Sequence, residues 1–238
     1  MCPTADVATA WWDAAWRRNH EEAGRPDWTA VSRRADDVVE MLRLRPGERL
    51  LDIACGAGAL DVEFAARGFA VTASDISTAA LEIARSLAQA RGVLVEWVCA
   101  DMREPPPGPF DAVLLWDVIF GTLPTDAENA RVLDAIARAL RPGGRFYLEV
   151  YTKEFALAHG VENRLKYCAQ SDRFVSAAGE PEIPAMRLYA REALQQMLQS
   201  RGFCIERERT WGWRKDPPVP PYRGWVVACT LRRTALSV

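Results

Sequence analysis

The sequence predicts an α/β protein built on a doubly wound, mostly parallel seven-stranded sheet with helices on both faces. Three observations carry that expectation. Short apolar runs alternate with helical stretches from Arg49 to Tyr151, punctuated by Gly and Pro; such βαβ units make right-handed crossovers that put helices on both sides of a sheet. A glycine-bearing turn, Cys55-Gly56-Ala57-Gly58, leads from the first apolar run into a helix. An acid, Asp75, closes the second run 19 residues after Gly56, the offset of a carboxylate that binds a nucleotide ribose.

The elements follow in order. Two helices open the chain, over Ala5–Glu22 and Thr29–Leu44; the first sets Trp12 and Trp16 one turn apart on one face, and the second stops at Pro46-Gly47. Arg49–Ala54 reads as the first strand, Gly58–Arg67 as a helix and Ala70–Ser74 as the second strand. Ser77 is placed to N-cap a helix that runs to Arg91 and closes at Gly92. Val93–Cys99 and Asp111–Trp116 are the third and fourth strands, separated by the proline-rich stretch 105–109. A helix over Thr125–Leu140 ends in Pro142-Gly143-Gly144, and Arg145–Tyr151 forms the fifth strand. Residues 153–187 have no clean period. Beyond them lie a helix at Arg191–Arg201, strands at Phe203–Thr210 and Gly224–Leu231, and a loop at 215–221. The chain therefore divides into N-terminal helices (1–47), a core (48–152), an insert (153–187) and a closing helix with two strands (188–238), all within one domain.

Composition excludes several classes of function. Thirty basic and 32 acidic residues give a formal charge of −2, whereas a general nucleic-acid binder carries a strong basic excess. No apolar run approaches the ~18 residues of a membrane span, and Met1-Cys2-Pro3-Thr4-Ala5-Asp6 lacks the basic start and apolar core of a secretory signal. The six cysteines are scattered without CxxC spacing, which reads as free thiols in a reducing cytoplasm. With only His20 and His159 and no ligand constellation, no metal site is expected.

The glycine turn narrows the ligand. A dinucleotide fingerprint needs a third glycine, but that position is Asp61, whose charge would oppose a pyrophosphate. No basic residue follows Asp75, and no GxxxxGK[ST] loop occurs. The site suits an adenosine without phosphates. Two other readings remain alongside: a nicotinamide-dependent oxidoreductase, and a protein that binds its ligand without catalysis.

With Asp52, Ala54, Gly56 and Gly58 in the first motif, Asp75-Ile76 after the second strand, Ala100-Asp101-Met102 after the third, Phe110-Asp111-Ala112-Val113 through Trp116-Asp117 in the fourth, and Arg141-Pro142-Gly143-Gly144 before the fifth, the chain resembles the class I S-adenosylmethionine-dependent methyltransferases. The resemblance spans Arg49–Tyr151 strongly and Leu188–Leu231 loosely. It implies a Rossmann-like fold, S-adenosylmethionine as cofactor and S-adenosylhomocysteine as product. By the same resemblance, the Ala54–Gly58 backbone, Cys55 included, lies under the methionine part and ribose. Asp75 holds the ribose hydroxyls, and Ile76 packs on the adenine. Asp101 accepts from the adenine amino group beside the Met102 N–H, and the Trp116 carbonyl, next to Asp117, receives the methionine amine. Ala54 departs from the family's usual glycine.

The resemblance also lets the N-terminal helix close over the cofactor, which gives Trp12 a contact there; the plain alternative is an aromatic core stripe. The acceptor is expected between those helices, the 118–123 loop and the 153–187 insert, as a small molecule, with a homodimer compatible with the chain. Tyr151, at the end of the fifth strand, and His20 and His159, which titrate near neutrality, are the candidate catalytic groups; Asp117 and Glu149 stand as further candidate bases. Seven of the nine tryptophans lie outside the segment that carries the cofactor motifs.

Overall fold

The computed structural model of the chain describes residues 7–23, 26–117, 119–159, 165–176, 185–211 and 224–232. Two helices, α1 (Val7–Ala23) and α2 (Trp28–Leu42), precede an alternation of β1 (Arg49–Ile53), α3 (Ala59–Ala66), β2 (Ala70–Asp75), α4 (Thr78–Arg91), β3 (Glu96–Cys99), β4 (Phe110–Leu115), α5 (Asp126–Ala139) and β5 (Leu140–Tyr151). The chain continues through α6 (Lys153–His159), a hairpin of β6 (Leu165–Cys168) and β7 (Arg173–Ser176), then α7 (Arg191–Gln199), β8 (Phe203–Trp211) and β9 (Gly224–Leu231). The seven-stranded sheet runs β3-β2-β1-β4-β5-β9-β8, with the first five parallel and β9 antiparallel to both β5 and β8.

Side-chain alternation builds the two faces. Leu51 and Ile53 of β1, Val113 and Leu115 of β4, and Trp225 and Val227 of β9 join one core with Leu133 and Ile136 of α5 and Leu194 and Leu198 of α7. Their neighbours Leu50, Ala112, Leu114, Val226 and Ala228 face the other core, with Val38 and Met41 of α2, Phe64 of α3 and Leu81 of α4. Period-two residues point to opposite faces of a sheet. Both faces being covered is why these strands read as continuous apolar runs.

Local signals fix the ends of the helices. Ser77 caps α4 by accepting the Ala80 N–H at 3.1 Å. Thr125 and Glu128 form a reciprocal capping box on α5. Trp225 is 1 % exposed and donates its indole N–H to Glu208 at 3.2 Å, an ordinary way to bury tryptophan.

The structure departs from the sequence expectation in three places. The fifth strand begins at Leu140, not Arg145: Phe110 pairs with Leu140, and the Pro-Gly-Gly segment, with Gly143 at φ 77°, is taken into the strand as an irregularity with a register shift between Phe110 and Ala112. The insert, for which no period was legible, contains α6 and the β6–β7 hairpin. Cys55, Cys168, Cys204 and Cys229 are free, but Cys99 is disulfide-bonded. The predicted loop at 215–221 lies outside the described residues. Among the described residues no helix is long and apolar enough to cross a membrane, and no group of His, Cys, Asp and Glu side chains is arranged to hold a metal.

Candidate functional site

The strand order reverses between β1 and β4, since β2 lies on one side of β1 and β4 on the other. In open α/β sheets a crevice opens there, beyond the carboxyl ends of the strands. A cavity of about 990 Å³ occupies this position, lined by Ala54, Asp75, Ile76, Asp101, Met102, Trp116 and Asp117 from the strand ends, by Trp11, Trp12 and Trp16 from α1, and by residues of the 119–124 loop and the insert.

The glycine turn meets the cavity through Ala54; Cys55, Gly56 and Gly58, expected beneath a ligand, are buried behind the wall and do not line it. Gly56 adopts φ +57°, and a Cβ there would lie 2.4 Å from the Trp16 ring, so only glycine lets that indole seat on the turn. Ala54 also has a left-handed backbone, at φ 58°, which costs an L-residue roughly 1–2 kcal/mol. Cys55 is buried, and burial pushes its thiol well above its ordinary range, so it acts as a packed neutral side chain rather than a nucleophile.

Asp75, 7 % exposed, faces the turn. One carboxylate oxygen accepts the Gly56 N–H at 2.9 Å and the other the Ser77 N–H at 2.8 Å. Each oxygen has a second lone pair. Burial raises its pKa, with the Ser77 and Gly56 N–H groups opposing the rise.

Beneath the turn lies a second acidic site that the sequence did not reveal. Asp52 and Asp61 are both 0 % exposed. Trp116 Nε1 donates to Asp52 Oδ2 at 2.9 Å. The other Asp52 oxygen and both Asp61 oxygens meet no donor among the described residues. Asp52 and Asp61 are hydrogen-bonding neighbours of one another, with the Asp61 backbone N–H also acting on the Asp61 carboxyl, and two carboxyls can bond directly only by sharing a proton. Burial raises both pKa values, that of Asp52 to about 8; the charges of Asp75 and Asp117 add to the rise at Asp52, and the charge of Asp52 adds to the rise at Asp61. Asp61 thus turns inward instead of meeting a ligand.

Trp116 is held on its other side by Arg34, which stacks 4.8 Å from the ring centroid and pairs with Glu149 at 2.6 Å. Glu149, 5 % exposed, is committed to this ion pair and does not line the cavity. Asp101 lines the cavity, but Arg103 already engages both its oxygens, through Nε at 3.0 Å, Nη2 at 2.6 Å and the backbone N–H at 2.8 Å. The Asp-x-Arg spacing was the available signal for that pair. Burial raises the Asp101 pKa, but the hydrogen bonds and charge of Arg103 prevail and hold it low.

Helix α1 is fastened to the start of α4. Asp13 accepts from Ser77 Oγ at 2.6 Å, the Ala79 N–H at 3.1 Å and Thr78 Oγ1 at 3.3 Å. Burial raises the Asp13 pKa, yet those bonds and the charge of Arg17 outweigh it and leave it lowered. A carboxyl held low stabilises above its unfolded pKa and loses that contribution as pH falls through the folded value. Asp13→Ala is expected to speed hydrogen exchange of α1 amides about tenfold at pH 7, with the difference from wild type shrinking toward pH 3. Unchanged exchange at pH 7 would show that another contact holds the helix.

The three candidate catalytic residues fare differently. Tyr151 packs against the small cluster of Ala156, Phe174 and Leu188 and does not line the cavity. His20 and His159 fall in α1 and α6, but their side chains lie outside the described residues. The insert docks on the 119–124 loop. The Arg187 N–H donates to the Gly121 carbonyl at 2.8 Å, and a Cβ on Gly121, at φ +103°, would meet the Arg187 carbonyl at 2.0 Å.

Comparisons with known proteins agree with this geometry. A family model described as a methyltransferase domain matches residues 50–144. A ubiquinone biosynthesis O-methyltransferase of Xanthomonas campestris pv. campestris is 31 % identical over 160 residues, covering 65 % of this chain and 62 % of the relative. The chain spans about three-fifths of the length of the curated relatives it matches. Among solved structures, a magnesium protoporphyrin IX methyltransferase from Synechocystis PCC 6803 with bound SAH has a TM-score of 0.68 at 19 % identity, covering 96 % of this chain and 100 % of that one. The [4+2]-cyclase SpnF has a TM-score of 0.63 at 21 % identity, covering 89 % and 84 %. At these identities the structures establish likeness of fold alone.

Proposed function

We propose that this chain, whose residues 50–144 match a methyltransferase domain, is a class I S-adenosylmethionine-dependent methyltransferase: it binds S-adenosylmethionine at the β1–β4 crevice and moves the methyl group to an N, O or C nucleophile of a small molecule. The reading treats 1–238 as one domain and the protein as cytoplasmic. The observation that carries it is Asp75, a buried carboxylate that orders the glycine turn and also lines the cavity, where a carboxylate can accept ribose hydroxyls. The remaining surroundings fit an uncharged adenosine with a cationic tail. Ile76 and Met102 offer apolar surface, acids rather than arginines flank the turn, and the site lacks the glycine-rich pyrophosphate cradle of a dinucleotide.

S-adenosylmethionine supplies a methyl group activated by its sulfonium charge. The chain's part is then largely positional, a contribution of ~7–11 kcal/mol when reacting atoms are well aligned. The Trp16 indole covers the glycine turn and restricts water above it. Trp116, fixed by Arg34 and Asp52, sets the path of the backbone toward Asp117. Asp117, exposed and lining the cavity, is positioned to take a proton from an acceptor hydroxyl, a role worth ~10²–10⁴-fold in rate.

Calorimetric titration with S-adenosylhomocysteine and with NADH tests the assignment. Saturable binding of the first and none of the second is expected; the reverse would identify a nicotinamide enzyme. Incubation with methyl-labelled S-adenosylmethionine and a metabolite extract is then expected to label a small molecule. Tight S-adenosylhomocysteine binding without any transfer would mark a non-catalytic binder.

A further inference from the structure

One cation of the cavity wall has no counter-ion among the described residues. Arg173, on β7 of the insert, lines the cavity together with Leu123, Pro124 and Ala185. Its guanidinium donates to three backbone carbonyls, those of Leu123 at 2.9 Å, Pro124 at 2.5 Å and Ala185 at 3.1 Å. These bonds orient the group but leave its charge intact. Among the described residues no carboxylate lies within ion-pair distance of it. Its neighbours are different: Arg103 is matched by Asp101 and Glu128, and Arg187 by Asp126 and Asp172. Glu128 also lines the cavity, but its charge is spent on Arg103.

An arginine has five donor hydrogens; Leu123 and Pro124 take both on Nη2 and Ala185 takes one on Nη1, so among the described partners the Nε–H and one Nη1–H remain, pointing in different directions. A guanidinium cannot lose its charge at any ordinary pH. Facing a cavity, it favours a negative ligand group. The single charge matches a carboxylate better than the nearly double charge of a phosphate monoester, and either remaining hydrogen can meet one carboxylate oxygen. The same cavity carries flat apolar walls in Trp11 and Trp12, which meet edge to face with ring centroids 4.6 Å apart.

We propose that Arg173 is a specificity-determining residue and that the methyl acceptor is a flat, aromatic-type molecule bearing a carboxylate, which Arg173 receives. The proposal rests on the methyltransferase reading, because the acceptor must share the cavity with the cofactor. It gives the insert a chemical role: the insert brings the cation that selects the acceptor to the 119–124 loop.

The test uses the full chain with and without saturating S-adenosylhomocysteine, and tryptophan fluorescence or calorimetry as readout. The probes are hydroxylated benzoates and cinnamates, each paired with its primary amide. The expected result is carboxylate binding at least about tenfold tighter than the matching amide. Arg173→Gln is expected to bring that ratio close to one, Arg173→Lys to keep part of it, and both to bind S-adenosylhomocysteine with unchanged affinity. A variant that had only loosened the loop would weaken acid and amide alike and leave the ratio intact. Equal binding of acids and amides by wild type, a ratio that survives Arg173→Gln, or no carboxylate binding at all would overturn the proposal. Arg173-dependent carboxylate binding by a chain that ignores S-adenosylhomocysteine would instead sink the methyltransferase reading and keep the anion site.

Discussion

Asp75→Ala is expected to weaken S-adenosylhomocysteine binding by about a hundredfold or more, with the sheet intact by circular dichroism. Each hydrogen bond to a charged group contributes roughly 1.5–3 kcal/mol, and two ribose hydroxyls would lose their acceptor. The substitution also frees the Gly56 and Ser77 N–H groups, so the turn loses part of its own order. Asp75→Asn separates the two effects: it keeps one carbonyl acceptor for the turn but turns a donor toward the other partner, and should fall between wild type and alanine. The pH dependence has a definite sign. Burial raises the Asp75 pKa, so its ionised form is depleted sooner than that of a free aspartate as pH falls. Affinity is therefore expected to decline on acidification, beginning above the ordinary aspartate range near 4, and the alanine variant should lack that decline. Calorimetry from pH 8 to pH 4.5 reads both. Wild-type affinity in the alanine variant would place the ribose elsewhere.

Asp61→Asn is expected to stabilise the protein at pH 8 by about 1–3 kcal/mol. Both Asp52 and Asp61 have pKa values raised chiefly by burial, Asp52 reaching about 8, with the charge of Asp52 adding to the rise at Asp61. The native state therefore retains protons that the unfolded chain has already released above the ordinary aspartate range. With more protons bound in the native state, stability falls as pH rises from about 4 toward 8. Asparagine donates to Asp52 without a charge, so the penalty disappears and the gain should shrink toward pH 4. Asp61→Leu provides the contrast: it leaves Asp52 without that donor and should destabilise at pH 8. Urea unfolding at pH 4, 6 and 8 measures the series. An asparagine variant no more stable than wild type at pH 8 would show that the pair is hydrated rather than sharing a proton.

The contrast between Asp75 and Asp61 shows how far the sequence could be read. Both are acids near the glycine turn. Asp75 was legible because its offset from Gly56 is set by one βαβ unit, a local quantity. Asp61 was legible only as a residue that is not glycine; that it turns toward Asp52 follows from the pitch of α3 over the end of β1. Arg103 was near enough in sequence to be noticed, and its capture of Asp101 changes what that acid offers a ligand. The expectation of free thiols failed at Cys99 because spacing along a chain says little about which cysteines meet in space. Tyr151 looked available at a strand end, yet the insert folds back and packs Phe174 and Leu188 beside it.

By itself, the sequence determined the alternation of strands and helices, the capping of α4 and α5, the glycine turn and the acid opposite it. These depend on backbone geometry, hydrophobic period and hydrogen bonds between residues close in the chain. Tertiary structure alone decided what surrounds that site: Asp13 on the start of α4, Trp116 between Asp52 and Arg34, Glu149 withdrawn into an ion pair, and Arg173 brought to the wall of the cavity. Those partners lie 50 to 115 residues apart. Their pairing is set by which faces of the sheet each helix and hairpin must cover, a packing requirement of the whole chain that leaves no short-range mark.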